Sequence, residues 1–456
     1  MHFGVMNRRR LLVACLALAA ACGDDTTAPV EPPEVASAEI DGSRGSIFRS
    51  ITVELEEPAG VRLEYWAPGA PRLRLDVTTA AQSHTIFIPR LRAVTDYELT
   101  VQSLADGAAG PATSLSFRTD SLPEALAAVR LTTRGTPTVP LFMLELRFPF
   151  YCAIADADGE IVWYFPTECQ GATRRTNGNF VLVDSRGGFL HDVGIDGLAQ
   201  HSLATTATMF HFHHDAIATP NNTVYLLSQD TLTVADTVWY GEAIWEWDPE
   251  AGTTERRWGA HDIWTPASDR GPRSIPTDWV HANALYLGPR GNVLLSMHFM
   301  DQIISIAPDF QSLEWRLGGP NATKAPAAAA RFSGQHTAAE LPNGHVFMFD
   351  NGFAREDGSR FSRALELSLD GDSATVVWEY RSEIYASFIS SARRLENGNT
   401  LIGYGPSAGL ANSSGPVAAR EVTPDGHAIW TLVLENLNSN YRTEPLYTIG
   451  GEDFAP

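Results

Sequence analysis

One pattern recurs from about residue 125 onward and limits what this chain can become. A Gly/Asn turn is followed by a short apolar strand, as in Asn177-Gly178-Asn179-Phe180-Val181-Leu182-Val183-Asp184. The same shape appears at Asn221-Asn222-Thr223-Val224-Tyr225-Leu226-Leu227, Arg290-Gly291-Asn292-Val293-Leu294-Leu295, Asn343-Gly344-His345-Val346-Phe347-Met348-Phe349 and Asn397-Gly398-Asn399-Thr400-Leu401-Ile402. Each copy continues into a second strand, a turn, and a strand closing on Trp258, Trp315, Trp378 or Trp430. The copy at Asn177 has His201 in that place, and Trp163 closes an earlier copy that lacks the Asn-Gly hairpin. The six closing positions are 38, 57, 57, 63 and 52 residues apart. A period near ~50 residues with several strands per unit is the signature of a β-propeller, here with six blades. The first copy is short of an inner strand. Residues 441–449 are expected to supply it, closing the ring and removing an exposed edge.

The expected fold is all-β, with the propeller at 125–456 preceded by a smaller unit at 38–120. That unit alternates apolar and polar residues in stretches such as Ser50-Ile51-Thr52-Val53-Glu54-Leu55 and Tyr97-Glu98-Leu99-Thr100-Val101, the period of half-buried strands. His84-Thr85-Ile86-Phe87-Ile88-Pro89, Leu91 and Thr95-Asp96-Tyr97-Glu98-Leu99 resemble the late strands of a fibronectin type III sandwich. No cluster of catalytic side chains lies there, so it reads as a spacer or docking module. With 37 Gly and 28 Pro the chain is rich in turns, which suits short strands.

The first residues read as an address. Arg8-Arg9-Arg10 precedes the apolar run Leu11–Ala21, about half the length a membrane-spanning helix needs. A basic start, a short apolar run and small residues before a break mark a signal peptide, here residues 1–21. Ala19-Ala20-Ala21-Cys22 resembles a bacterial lipoprotein signal, with Cys22 as the lipidated first residue. Leu12-Val13-Ala14-Cys15 also fits but leaves too short an apolar run. Residues 22–37, rich in Thr, Pro, Glu and Ala, then form a tether. The expected location is the outer membrane, on its periplasmic or cell-surface side. Export permits a disulfide between Cys152 and Cys169; two buried thiols are the alternative.

Charge excludes several function classes. Lys+Arg number 33 against 54 Asp+Glu, a formal charge of −21, so nucleic acid is not an expected partner. Lys324 is the single lysine and no G-x-x-x-x-G-K surrounds it, which removes Schiff-base and Walker-type nucleotide chemistry.

The histidines keep one phase of the repeat. His214 lies eight residues before Asn222, His336 eight before Gly344 and Ser390 eight before Gly398. His281 lies ten before Gly291, in a hairpin two residues longer. All begin the same strand of consecutive blades, expected to be the innermost. Three imidazoles and a serine should therefore converge on the channel. Three His can hold Zn²⁺, with Asp215 and Asn283 nearby. In a regular strand, however, Asp215 faces away from His214, and no metal is expected. Gly405-Pro406-Ser407-Ala408-Gly409 matches G-x-S-x-G, but no helix follows it, as a nucleophile elbow requires.

The motifs around these histidines are His213-His214-Asp215, Asp278-Trp279-Val280-His281-Ala282-Asn283, Gln335-His336-Thr337, Phe349-Asp350-Asn351-Gly352 and Ser390-Ser391-Ala392-Arg393-Arg394-Leu395. In this order they resemble the bacterial arylsulfate sulfotransferases, over about 330 residues. The resemblance implies a six-bladed propeller behind a β-sandwich. It also implies sulfuryl transfer from a phenolic sulfate donor to a phenolic acceptor through a sulfated histidine, with no cofactor. His336 would be the nucleophile, with His281 and His214 binding sulfuryl oxygens and passing a proton. Asn283, His298, Ser390 and Arg393 would contact substrate. One position departs from the family: in Ser296-Met297-His298-Phe299, His298 stands where an Arg is usual. A titratable group there replaces a permanent charge, and Arg393 or Arg363 would have to compensate. That keeps two other readings open: a related hydrolase or transferase acting on anionic esters, or a non-catalytic surface-binding propeller.

Overall fold

The computed structural model describes residues 31–42, 46–405, 416–435 and 439–455. The signal segment with Cys15 and Cys22, and all of the G-x-S-x-G stretch after Gly405, lie outside the described residues.

Six sheets, antiparallel but for the short parallel edge strand Ala325–Pro326, form a ring of blades. The innermost strands of blades 2 to 6 are Ala172–Arg174, Phe210–Ala218, Ala282–Leu287, His336–Glu340 and Ser391–Arg394. In blade 1 the innermost strand is Asn440–Leu446, paired with Leu141–Arg147. The C-terminal segment thus completes the first blade, as the short first copy requires. A second latch was not legible in the repeat. Arg130–Gly135 adds a fifth strand outside Ala428–Glu435 of blade 6. Chain segments from both ends of the propeller therefore cross the same seam.

The recurring turn residues have a backbone cause. Gly178, Gly291, Gly344 and Gly398 all have φ between 81° and 94°, and Asn222 has φ 65°. Only Gly and Asn tolerate that left-handed region readily, and it gives the tight hairpin its twist. The closing aromatics fill the gaps between blades. Trp430 stacks on Phe142 across the seam, ring centroids 4.1 Å apart, and Trp163 of blade 1 meets Phe180 of blade 2 at 5.0 Å. Both tryptophans are fully buried.

Ahead of the propeller, the long strand Arg49–Trp66 pairs with Val35–Asp41 along its first half and with Asp96–Ala105 along its second. Leu73–Ile88 flanks both halves. Ile51, Val53, Leu63, Tyr65, Leu99 and Val101 form a separate core. The terminal pair Asp453–Phe454 adds to Leu73–Ile88. The last residues therefore join this unit, rather than the propeller as the boundary 125–456 implies. Cys152 and Cys169 are joined by a disulfide, Cα atoms 5.4 Å apart, that ties blade 1 to the entry of blade 2.

Candidate active site

The inner strands begin with the same backbone irregularity in four consecutive blades. His214, His281, Thr337 and Ser390 have φ of 60°, 51°, 51° and 88°. Each non-glycine residue held there costs about 1–3 kcal/mol and persists only where its surroundings impose it. In blade 3 the register also shifts between Phe212 and Ala216. That bulge corrects the expectation that Asp215 faces away from the channel, which assumed a regular strand. Asp215 Oδ1 lies 2.9 Å from Arg442 of blade 1, and its Oδ2 accepts from the Leu285 N–H of blade 4.

Around the channel the imidazoles form an arc. Ring centroids are 4.8 Å apart for His214 and His281, 5.3 Å for His281 and His298, and 5.4 Å for His298 and His336. His213 extends it, 4.9 Å from His214. His336, His281 and His214 each have one nitrogen engaged by a partner behind the arc.

His336 is 2% exposed. Its Nδ1–H donates to Asn351 Oδ1 at 2.8 Å. The Asn351 amide cannot be turned around, because its Nδ2 donates to the carbonyls of Ala386 and Ile389, both at 2.8 Å. The lone pair of His336 is therefore on Nε2. Burial above all pushes the ring down to about 3, against the Asn351 hydrogen bond, with the Arg442 and His281 charges adding to the depression. It is neutral at pH 7.

Behind His214, burial raises the Glu242 carboxyl well above its ordinary range. Its Oε2 lies 2.9 Å from His213 Nε2. Burial also lowers His213 to about 3. His213 Nδ1 and His214 Nδ1 share one hydrogen bond, 2.7 Å apart. With Nδ1 engaged by His213, the nitrogen His214 keeps for the channel is Nε2. His281 donates from Nδ1 to Asp278 Oδ2 at 2.5 Å. Its loop is anchored by fully buried Trp279, whose indole N–H donates to the Asp269 carbonyl.

His298 does not supply the expected titratable charge. Burial, then the charges on His336, His281 and Arg273, lower it to about 2, so it is neutral. Two arginines that sequence reasoning missed act on the arc through their charge, Arg273 on His298 and Arg442 on His336. Arg273 donates to the His298 carbonyl and pairs with Asp301, whose Oδ1 accepts from the Gly334 N–H at 2.6 Å. Arg442, 1% exposed, crosses the channel from blade 1 to Asp215 in blade 3 and the Asn283 carbonyl in blade 4. It lay in the Tyr441-Arg442-Thr443 segment already assigned to close the ring. Asking which side chain of that strand faces inward finds it.

The other candidates are engaged elsewhere. The Asn283 amide donates from Nδ2 to the Gln335 carbonyl at 2.7 Å, steadying the peptide before His336, while its Oδ1 has no protein partner among the described residues. Ser390 Oγ accepts from the Gly405 N–H at 2.9 Å. Arg393 pairs with Glu444 at 2.6 Å and donates to the Thr337 carbonyl, while Arg363 is held by Asp350 and Glu379. Neither compensating arginine is free among the imidazoles. Among the described residues, metal-ligand spacing occurs at Asp192, His201 and Glu250. There Arg175 already sits 2.6 Å from Asp192 and 3.2 Å from Glu250.

Comparison with solved structures gives a protein of unknown function from Bacteroides caccae (14% identity, 68% of this chain and 99% of that chain, TM-score 0.46). It also gives the Staphylococcus aureus virginiamycin B lyase (10%, 67% and 99%, TM-score 0.34). At TM-scores below 0.5 such likenesses say nothing about chemistry. No functionally curated protein matches the chain. The arylsulfotransferase (ASST) family matches residues 126–442, well over half of the chain and the whole arc of imidazoles. This chain therefore belongs to the arylsulfotransferase family and is a sulfotransferase of that type.

Proposed function

We propose that the protein moves a sulfuryl group from a phenolic sulfate ester to a phenolic acceptor through a sulfated His336. The observation that carries this is the Asn351 lock, which leaves a neutral, buried imidazole with its lone pair on Nε2. Such a ring is a nucleophile that needs no deprotonation first. In the first half-reaction an Nε2–S bond forms and the S–O(aryl) bond breaks. The electron pair leaves with the aryl oxygen, which takes a proton from His281. In the second, the acceptor phenol returns a proton to His281 as its oxygen attacks sulfur, and His336 is regenerated. Asp278 offsets the charge His281 carries before the first step and regains in the second. His214 Nε2–H stabilises the sulfuryl oxygens by a hydrogen bond aimed at the transition state. Arg442 and Arg273 give the permanent positive field that His298 does not.

Incubation with an aryl sulfate, with and without a phenol, tests the reading. Release of the donor phenol that depends on the added acceptor is expected. Acceptor-independent release means a hydrolase instead, and no release means a binding module.

The Cys22 lipobox and the 152–169 disulfide together support an exported protein anchored by lipid to the outer membrane. Labelled fatty acid should co-migrate with the wild type and be lost in Cys22→Ala. Label lost in Cys15→Ala instead would move the anchor.

A further inference from the structure

Beside the imidazole arc, blades 4 and 5 enclose a cleft of about 940 Å³, the size of a small-molecule site. One wall is the loop that carries the reaction. Met300 and Asp301 line the cleft two and three residues after His298, and Asp301 holds the Gly334 N–H two residues before His336. Ala354 lines it as well; its N–H donates to Ser333, and the adjacent Phe353 ring lies 5.5 Å from His298. The cleft therefore shares a wall with the segments that carry His298 and His336.

The lining is rich in fixed positive charge, although the chain as a whole is acidic. Arg270, Arg331, Arg355, Arg363 and Arg381 line it against three carboxylates, Asp301, Glu356 and Asp357. Three of the guanidiniums, those of Arg355, Arg381 and Arg363, surround the Phe361 ring at 3.9, 4.4 and 5.6 Å from its centroid. Two of them are rigid: Arg355 and Arg363 share buried Asp350 at 2.6 and 2.9 Å. Two others can reach a ligand. The Arg381 side chain is 56% exposed and engages Glu379 through its Nε–H at 3.0 Å, while Arg270 rests on the Trp239 ring at 4.9 Å with no carboxylate partner among the described residues. Planar, permanently charged forks beside an aromatic face suit a carboxylate or sulfate attached to an apolar body.

We propose that this cleft binds the anionic tail of the phenolic acceptor, so that preferred acceptors carry a second, negatively charged group beyond the reacting ring. The proposal rests on the transferase reading above. A donor already brings an anion to the channel arginines, whereas an acceptor phenol is uncharged at its reacting end. The cleft gives it a hold that the channel does not.

The test uses ω-(4-hydroxyphenyl)alkanoates of increasing chain length, each beside its uncharged primary amide. In the wild type, at least one chain length should show a KM tenfold or more below that of its amide, at similar kcat. In Arg270→Ala/Arg381→Ala that preference should collapse to less than twofold, with turnover of the amides unchanged. A carboxylate preference surviving in the double variant, or absent from the wild type at every length, overturns the proposal. Calorimetric binding of the best alkanoate separates this from failure of the transferase reading. Binding that weakens tenfold in the double variant supports the cleft even where no phenol is turned over. Equal binding to both proteins overturns it.

Discussion

Blades 3, 4 and 5 present an imidazole at the mouth of the channel; blades 2 and 6 present Gln170 and Ser390 at the same phase. The difference is not the backbone. Ser390 has the same left-handed geometry as His214 and His281, so the strained turn belongs to the fold and does not by itself mark chemistry. What separates the two groups is how the side chains are held. Ser390 accepts from the Gly405 amide, and Gln170 Oε1 accepts from the His214 N–H. Both brace the ring. His336, His281 and His214 each have one nitrogen fixed by Asn351, Asp278 or His213 and keep the other for the channel. A repeat supplies equivalent positions, and the buried partner behind each one decides whether it reacts or supports.

The largest expected effect breaks the comparison outright. His336→Ala should abolish turnover, because no other ring has its nitrogen locked as an acceptor by an amide that cannot flip. Loss measured with folding verified by circular dichroism is expected; retained activity would place the nucleophile elsewhere. Arg442→Gln comes next. Removing one partner of a buried pair costs about 3–5 kcal/mol of stability, through the orphaned Asp215. Arg442→Gln/Asp215→Asn should recover most of the melting temperature but not the rate, if Arg442 supplies charge to the site rather than only a brace. His281→Ala and His214→Ala should each lower kcat about 10²–10³-fold, as for loss of one oriented contact worth about 2.7–4 kcal/mol. Each should leave measurable activity, followed as phenol release.

A separate effect is one of pH. His213, His298 and His336 are lowered to about 3, 2 and 3, chiefly by burial. Between those values and ~6.5 the unfolded chain binds protons that the native state does not. Stability is therefore complete above about pH 6.5 and falls as pH drops, by about 1.4 kcal/mol per pH unit for each such group. Urea midpoints from pH 7 to 4.5 should decline, and less steeply in His298→Gln. Protonation of His336 itself should not limit its sulfation over that range, since the ring remains neutral. The smallest effect is Ser390→Ala, expected to alter kcat less than about threefold while lowering the melting point slightly, because its hydroxyl serves the loop.

Much of this was legible in the sequence, for physical reasons. The Asn-Gly hairpins need left-handed φ and so show the blade period directly. The closing tryptophans mark blade ends because large apolar rings fill the gaps between blades. The phase of His214, His281 and His336 follows from that period. What pattern could not reach was set by contacts distant in sequence. Asn351 reads as part of a motif, but its role depends on two carbonyls from residues 386 and 389. Arg442 acts across the channel on blades it does not belong to. His298 reads as a weakened charge, and only burial among other imidazoles makes it neutral. The outer strand Arg130–Gly135 has no repeat signature, since it pairs with a blade some 300 residues later.

The central claim is that His336 carries the sulfuryl group between donor and acceptor. It is tested most directly by mixing the protein with an aryl sulfate and no acceptor, quenching at alkaline pH, and mapping the peptides by mass spectrometry. One sulfuryl group on the peptide holding His336, removed when phenol is added before the quench, is the expected result. A sulfuryl group on His214, His281 or His298, or none while transfer to phenol proceeds, would contradict it.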